Sequence, residues 1–370
     1  MRLRTIDIHE IRLRLRHPFV TSLGRTEDRR VILVRVEDED GAEGWGECTA
    51  DENPFYSEEW VDGSWLILRD YLLPLAAGRS FSHPSELAGL FGHIRGHRMA
   101  KAAVENASWH LEAQRRGIPL WKLLGGTRDV IAAGVSIGLQ PTIDELLAKV
   151  ENEIGAGYRR VKIKIKPRSD RALIESVRAR FPDLPLMADA NSAYTLADTP
   201  LFEGLDQFGL MMIEQPLAHD DLFDHATLQR GITTPVCLDE SIVNPADAVH
   251  AIALGACRII NVKLGRVGGY TSALQIERIC REAGVPVWCG GMLESGVGRA
   301  HNIALSTLEG FSLPGDVSAS ARYWEQDIID PPVTVTREGL IAAPSGPGLG
   351  FTVDRERIEH LTVRRESVQM

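Results

Sequence analysis

The sequence predicts an α/β fold: a (β/α)8-type barrel of modified TIM type, capped by an α+β domain built from the N-terminus and the C-terminal tail. Three observations carry that expectation. Five polar residues recur at nearly constant spacing: Lys164, Asp189, Glu214, Asp239 and Lys263 are, by subtraction, 25, 25, 25 and 24 residues apart. One strand, one helix and two short connections occupy about that length. Each of the five ends a short apolar run, where a parallel strand would stop and where barrels carry their functional side chains. Finally, short strands and helices alternate from Val130 onward, whereas the residues before it group strands first and helices afterwards.

Size and composition agree with that division. A chain of 370 residues exceeds what one hydrophobic core usually serves, so one large and one smaller domain are expected. The net charge of -10 argues against a nucleic-acid partner, which needs a basic stripe. No stretch approaches the roughly 20 apolar residues of a membrane span. Met1-Arg2-Leu3-Arg4 could pass for an Arg-rich leader, but Asp7 and Glu10 follow, and Ile11, Leu13 and Leu15 alternate with Arg12, Arg14 and Arg16. That is strand patterning. Five cysteines without CxxC spacing read as reduced core residues of a cytoplasmic protein, not as a zinc site or a disulfide framework.

In chain order, residues 1 to about 50 read as antiparallel strands, with Val31-Ile32-Leu33-Val34-Arg35-Val36 the clearest and a turn at Asp38-Glu39-Asp40-Gly41. Residues 58–78, 84–95 and 98–116 are helical by periodicity. Leu123-Leu124-Gly125-Gly126 punctuates the end of this capping domain, 1–127. Candidate barrel strands are 130–137, 159–165, 184–189, 209–214, 235–239, 257–263, 285–289 and a weaker one near 311–317, which bounds the barrel at 128–330. An open doubly wound sheet normally offers a Gly-rich phosphate turn after its first strand, and none is present. After Pro331-Pro332 a tail, 331–370, returns to strand-like pieces expected to rejoin the cap.

The chemistry follows from where these side chains would point. Lys162, Lys164 and Lys166 share one face of a strand, with Val161, Ile163 and Ile165 on the other. A half-exposed edge strand would explain solvated lysines, but in a closed barrel the apolar face meets the helices and the lysines face the axis. Lys263, two residues after Asn261, repeats the argument. A single acid is normally a surface residue. Three acids ending consecutive apolar runs would converge, raise one another's pKa and call for a cation. Hard oxygen ligands suit Mg2+, with Mn2+ or another divalent ion able to substitute, and without His or Cys zinc is disfavoured. A carboxylate substrate held by that ion could lose its α-proton, because the cation stabilises the ene-diolate. A base lysine must fall from about 10.4 to about 7–8, roughly 4 kcal/mol, and Arg266 pushes that way. Gly134-Val135-Ser136-Ile137-Gly138 matches a GxSxG elbow, but loop-like Leu139-Gln140-Pro141-Thr142 follows where a helix is required. Ser136 reads better as a polar contact at the first strand's end.

The chain resembles the enolase superfamily, in the branch of o-succinylbenzoate synthase and N-acyl- (N-succinyl-) amino acid racemase. The resemblance covers nearly the whole chain. It is carried by Tyr158-Arg159-Arg160-Val161-Lys162-Ile163-Lys164, Asp189-Ala190-Asn191, Ile213-Glu214-Gln215-Pro216, Leu238-Asp239-Glu240-Ser241 and Val287-Trp288-Cys289-Gly290-Gly291-Met292-Leu293-Glu294-Ser295-Gly296. It implies Asp189, Glu214 and Asp239 as metal ligands and Lys164 and Lys263 as the acid/base pair, with Lys162 and Asn191 assisting at the substrate carboxylate. Gly291, Met292, the loop Phe19-Val20-Thr21-Ser22-Leu23-Gly24 and the segment near Tyr56 would line the pocket. Arg266, tuning Lys263, is associated with the racemase side. The implied partner is a small-molecule carboxylate, and a homo-oligomer is expected. A dipeptide epimerase of the same superfamily and a non-catalytic, metal-dependent carboxylate-binding protein are the alternatives.

Overall fold

Strand β1 (Leu3–Val20) pairs antiparallel with β2 (Arg25–Asp38), which pairs with β3 (Glu43–Cys48). The structure is a computed structural model describing residues 1–20 and 24–369. Thr21, Ser22 and Leu23 of the expected pocket loop lie outside the described residues. Alternation decides the faces of this sheet. Ile11, Leu13 and Leu15 pack toward the barrel core, while Ile6, Ile8, Ile32 and Val34 pack against the cap's own helices.

Those helices are α1 (Val61–Ile67), continued by a π-turn over Leu68–Leu72 and a last turn over Leu73–Ala76, and α2 (Arg98–Arg116). The expected helix at 84–95 is only Glu86–Leu90, because Pro84 and Gly92 flank a stretch that cannot extend far. Helix α2 lies so close to β3 that glycine is required: a Cβ at Gly44 would sit 2.0 Å from the Ala107 carbonyl oxygen, and one at Gly46 2.1 Å from that of Ala103.

The barrel strands are β5 (Gly134–Ile137), β6 (Arg160–Lys164), β7 (Leu186–Asp189), β8 (Ile213–Glu214), β9 (Val236–Leu238), β10 (Ile259–Val262) and β11 (Val287–Cys289), hydrogen-bonded in parallel in that order. The capped parallel barrel expected from the sequence is therefore present, with two departures. The segment 130–137 is two strands: β4 (Val130–Ala132) turns away to pair with Leu340–Ala342 of the tail. The eighth segment is not a strand. Pro314 lacks an N–H, and the ring is closed by isolated backbone bonds, from Gly134 N to Gly315 O at 2.7 Å, from Gly315 N to Ala132 O at 3.3 Å and from Asp316 N to Cys289 O at 2.8 Å. In the tail, Thr362–Gln369 pairs antiparallel with β1 and becomes the cap's edge strand. Among the described residues no helix is long and apolar enough to cross a membrane.

Buried carboxylates fasten the cap to the barrel. Helices α3 (Ile143–Gly155), α4 (Asp170–Arg180), α5 (Thr199–Leu205), α6 (Leu222–Gly231), α7 (Pro245–Leu254), α8 (Tyr270–Glu282) and α9 (Gly296–Ser306) flank the sheet. Glu47 accepts from Ser295 N at 3.1 Å and Gly298 N at 3.0 Å, at the start of α9. Glu105 accepts from Thr271 N at 3.1 Å, at the start of α8. Both place negative charge where the helix dipole favours it. Beside them, Trp45 N donates to His110 Nδ1 at 2.9 Å, and His301 Nε2 donates to Trp45 O at 2.8 Å. This buried polar seam fixes how cap loops overhang the barrel mouth.

Candidate active site

The C-terminal strand ends bring the charged residues together beneath the cap. Lys164 Nζ donates to Asp189 Oδ2 at 2.6 Å and to Asn191 Oδ1 at 2.6 Å. Two residues deeper on the same face, Lys162 Nζ lies 2.7 Å from Asp316 Oδ2, 2.9 Å from Glu214 Oε2 and 3.2 Å from Asp189 Oδ2. It also stands 5.0 Å from the Trp288 ring centroid. Across the sheet, Lys263 Nζ donates to Tyr56 Oη at 2.6 Å and to Asp239 Oδ2 at 2.8 Å. Arg266 Nη1 takes the other oxygen of Asp239, and Tyr56 Oη donates to Asp239 Oδ2 at 3.2 Å. Strands β7, β8 and β9 separate β6 from β10, four spacings of about 4.8 Å along a curved sheet. The two lysines therefore enter from different sides.

A cavity of about 540 Å3 lies between these strand ends and the cap. Lys164, Asn191, Lys263, Gly291, Met292, Tyr56 and Phe19 line it. Lys162 and Ser136 do not. Lys162 is sunk behind the acids that hold it, and Ser136, which pairs in register with Lys162, is buried with its Oγ unbonded among the described residues.

Electrostatics distinguish the three expected ligands. Burial pushes the Glu214 carboxyl up to about 8, aided by Asp189 and opposed by Lys162. Burial also opposes ionisation of Asp239, but Arg266 and Lys263 outweigh it and hold that carboxyl far below the usual range. Asp189 is lowered on balance, burial losing to Lys164 and Lys162. For Lys263, burial pulls the amine down, yet Asp239 and Tyr56 raise it on balance. A lysine lowered by its neighbours is the sequence expectation. Here the undivided charge of Asp239 decides the opposite.

As placed, no three His, Cys, Asp or Glu side chains among the described residues are arranged to hold a metal ion. The acids are turned onto cationic side chains instead. The donor chemistry nevertheless fits a hard divalent cation. Asp189 and Glu214 are partners in register on adjacent strands, Asp239 follows β9 on the next, and all three are at most 1% exposed. Carboxylates gathered so densely and so dry need positive charge.

Four participants escape the sequence reading. Asp316, from the irregular eighth segment, accepts from Arg160 Nη1 at 2.6 Å as well as binding Lys162. Glu240 accepts from Asn191 Nδ2 at 2.9 Å, and burial pushes its carboxyl up to about 7. Gln215, at a φ of 38°, accepts from Asp239 N at 3.0 Å and so ties β8 to the end of β9. Arg160 looks like a surface arginine opening a strand, but it is 1% exposed and stacks 4.9 Å from Trp288.

Residues 4–125 match the family described as mandelate racemase / muconate lactonizing enzyme, N-terminal domain, and residues 145–357 match the enolase C-terminal domain-like family. The chain is 55% identical to o-succinylbenzoate synthase of Geobacillus kaustophilus over 96% of its length and 95% of that protein. It is 44% identical to N-succinylamino acid racemase of Thermus thermophilus over 98% of each. L-Ala-D/L-Glu epimerase of Bacillus subtilis is more distant, at 28% identity over 95% of this chain and 97% of that one. A crystal structure of an enolase-superfamily member from Listeria innocua superposes with a TM-score of 0.96 at 43% identity, covering 100% of this chain and 99% of that one.

Proposed function

The chain belongs to the enolase superfamily, in the group of mandelate racemase and muconate lactonizing enzyme, and from that premise we propose that it abstracts the α-proton of an N-succinylamino acid or of the o-succinylbenzoate synthase substrate. It would act as a racemase, as the dehydratase of menaquinone biosynthesis, or as both, in the cytoplasm. The observation that carries this reading is the pair Lys164 and Lys263, on strands four places apart, facing one cavity with three buried acids between them.

Asp189, Glu214 and Asp239 are the residues that would hold Mg2+. When bound, the cation supplies charge stabilisation for a carboxylate taking on ene-diolate character. The rest falls to the chain. Lys164, steadied by Asn191, and Lys263, steadied by Tyr56, meet the α-carbon from opposite faces. In racemisation one lysine takes the proton and the other returns a proton to the opposite face. In dehydration a single lysine, Lys164, serves both the proton and the departing hydroxyl, and Lys263 contributes charge alone. A cation held by Asp239 would loosen that carboxylate's hold on the Lys263 proton. Lys162 and Asp316 fix the floor of the site.

Charge favours an N-acylated, dicarboxylate substrate over a dipeptide. Five buried acids (Asp189, Glu214, Asp239, Glu240, Asp316) meet five cations (Arg160, Lys162, Lys164, Lys263, Arg266) at the site. A dication then leaves positive charge for an anionic substrate to meet. An ammonium would need an unpaired acid, yet the acids lining the cavity are taken: Glu27 by Arg25, Asp28 by Arg14, Asp51 by Arg29, and Glu52 stands 3.9 Å from Arg30.

The test is deuterium uptake at the α-carbon of each N-succinylamino acid enantiomer. Lys263→Ala is expected to abolish uptake from one enantiomer and Lys164→Ala from the other. Racemisation surviving Lys263→Ala unchanged would sink the two-base reading.

A further inference from the structure

A second cavity, far smaller at about 10 Å3, lies in the seam between cap and barrel. It has room for one water molecule and little else. Glu47, Thr49 and Asn106 line it from the cap, and Lys263, Gly265 and Glu294 from the barrel. Two of these carry a buried polar atom with no partner among the described residues, Asn106 Oδ1 and Thr49 Oγ1. Their side chains are 3% and 6% exposed. Leaving such atoms dry costs about 1–3 kcal/mol each, and the cavities that proteins leave empty are apolar.

Lys263 supplies the third wall. An ammonium has three N–H donors. Tyr56 Oη and Asp239 Oδ2 accept two of them, and among the described residues the third has no acceptor. Glu47 is engaged by Ser295 N, Ser295 Oγ and Gly298 N, and Glu294 Oε1 by Met292 N and Asn302 Nδ2. A second positive charge beside the Lys263 ammonium would be repelled, so a neutral molecule that both donates and accepts fits best. Gly265 keeps the space open, since a Cβ there would lie 2.2 Å from Thr49 Oγ1.

We infer that this cavity seats one ordered water, held by Asn106 and Thr49 of the cap, which takes the remaining N–H of Lys263 and positions that amine for its face of the substrate. Asn106 and Thr49 are then positioning residues. They act on Lys263 from behind and leave Lys164, on the other side of the barrel, untouched. The asymmetry makes the idea testable. It rests on Lys263 and Lys164 serving opposite faces.

The experiment has two arms. A high-resolution crystal structure of the Mg2+-loaded protein is expected to show one solvent peak within hydrogen-bonding distance of Asn106 Oδ1 and Thr49 Oγ1, without anomalous signal after a rubidium soak. An empty cavity, or a rubidium peak, overturns the assignment. In the second arm, Asn106→Leu and the isosteric Thr49→Val are compared with wild type in face-specific deuterium uptake. Uptake from the enantiomer that Lys263→Ala abolishes is expected to fall about tenfold, the size of one lost hydrogen bond, with the other enantiomer within about twofold. Equal loss on both faces, or none, refutes positioning. Wild-type protein exchanging neither enantiomer would instead remove the two-base reading, while the solvent peak still decides the water.

Discussion

Asp316→Asn tests whether the barrel floor is an electrostatic unit. Asp316 Oδ1 accepts from Arg160 at 2.6 Å and Oδ2 lies 2.7 Å from Lys162. Lys162 keeps Glu214 and Asp189 after the change. Arg160 keeps only the Pro314 carbonyl at 2.7 Å and the Trp288 face. Removing one partner of a buried pair costs about 3–5 kcal/mol, chiefly because the other charge is stranded. At about 2.1 cal/mol/K per residue, 370 residues give an unfolding entropy near 0.8 kcal/mol/K. The melting temperature should therefore fall by about 4–6 °C, measured by calorimetry in EDTA so that cation binding does not intervene. The decisive comparison is Arg160→Met added to Asp316→Asn. Once the stranded cation is gone, about half of the loss or more should return. A double variant no more stable than Asp316→Asn alone would refute the stranded-charge argument.

Why Asp316 was invisible in the sequence shows which signals sequence carries. Asp189, Glu214 and Asp239 are legible because each interrupts an apolar run at a fixed period, and a strand end is where such an interruption is tolerated. Asp316 follows Phe311-Ser312-Leu313-Pro314-Gly315, which has no period to interrupt, so nothing there distinguishes it from a loop acid. Glu240 follows Asp239 directly, and strict alternation would send it to the opposite face. The turn after β9 returns it to Asn191, and a turn's curl is not written in a two-residue period. Lys162 faces inward, as strand alternation requires, and its depth is set by its ion pairs. Expected beside the substrate carboxylate, it lies below the cavity because Asp316, Glu214 and Asp189 draw its amine down. The eighth strand failed on one residue, Pro314, whose missing N–H leaves closure to isolated backbone bonds. The seven other barrel strands were found where apolar runs put them, because burial on both faces leaves little else that those residues could be.

Three further outcomes follow from the structure. EDTA should abolish activity and Mg2+ or Mn2+ restore it; Mg2+ should also raise the melting temperature of wild type by mass action, an increment lost in Asp239→Asn. Gly46→Ala should destabilise by about 3 kcal/mol or more, because its Cβ would meet the Ala103 carbonyl at 2.1 Å, backbone against backbone; a melting temperature within 1 °C of wild type, about the change from 1 kcal/mol here, would contradict that packing. The last concerns pH. Burial pushes the Glu105 carboxyl up to about 7, opposed by its bonds to Thr271, whereas an unfolded glutamate titrates near 4.3. The folded chain thus binds the extra proton between those values, so this group's contribution is fully present below about 4.3 and lost as pH rises through 7. Glu105→Gln keeps an acceptor for Thr271 and has no charge to bury. Relative to wild type it should gain up to about 3 kcal/mol between pH 5 and pH 9, or about 4 °C. Melting curves of the two proteins that stay parallel across that range would show that Glu105 titrates as an ordinary surface acid.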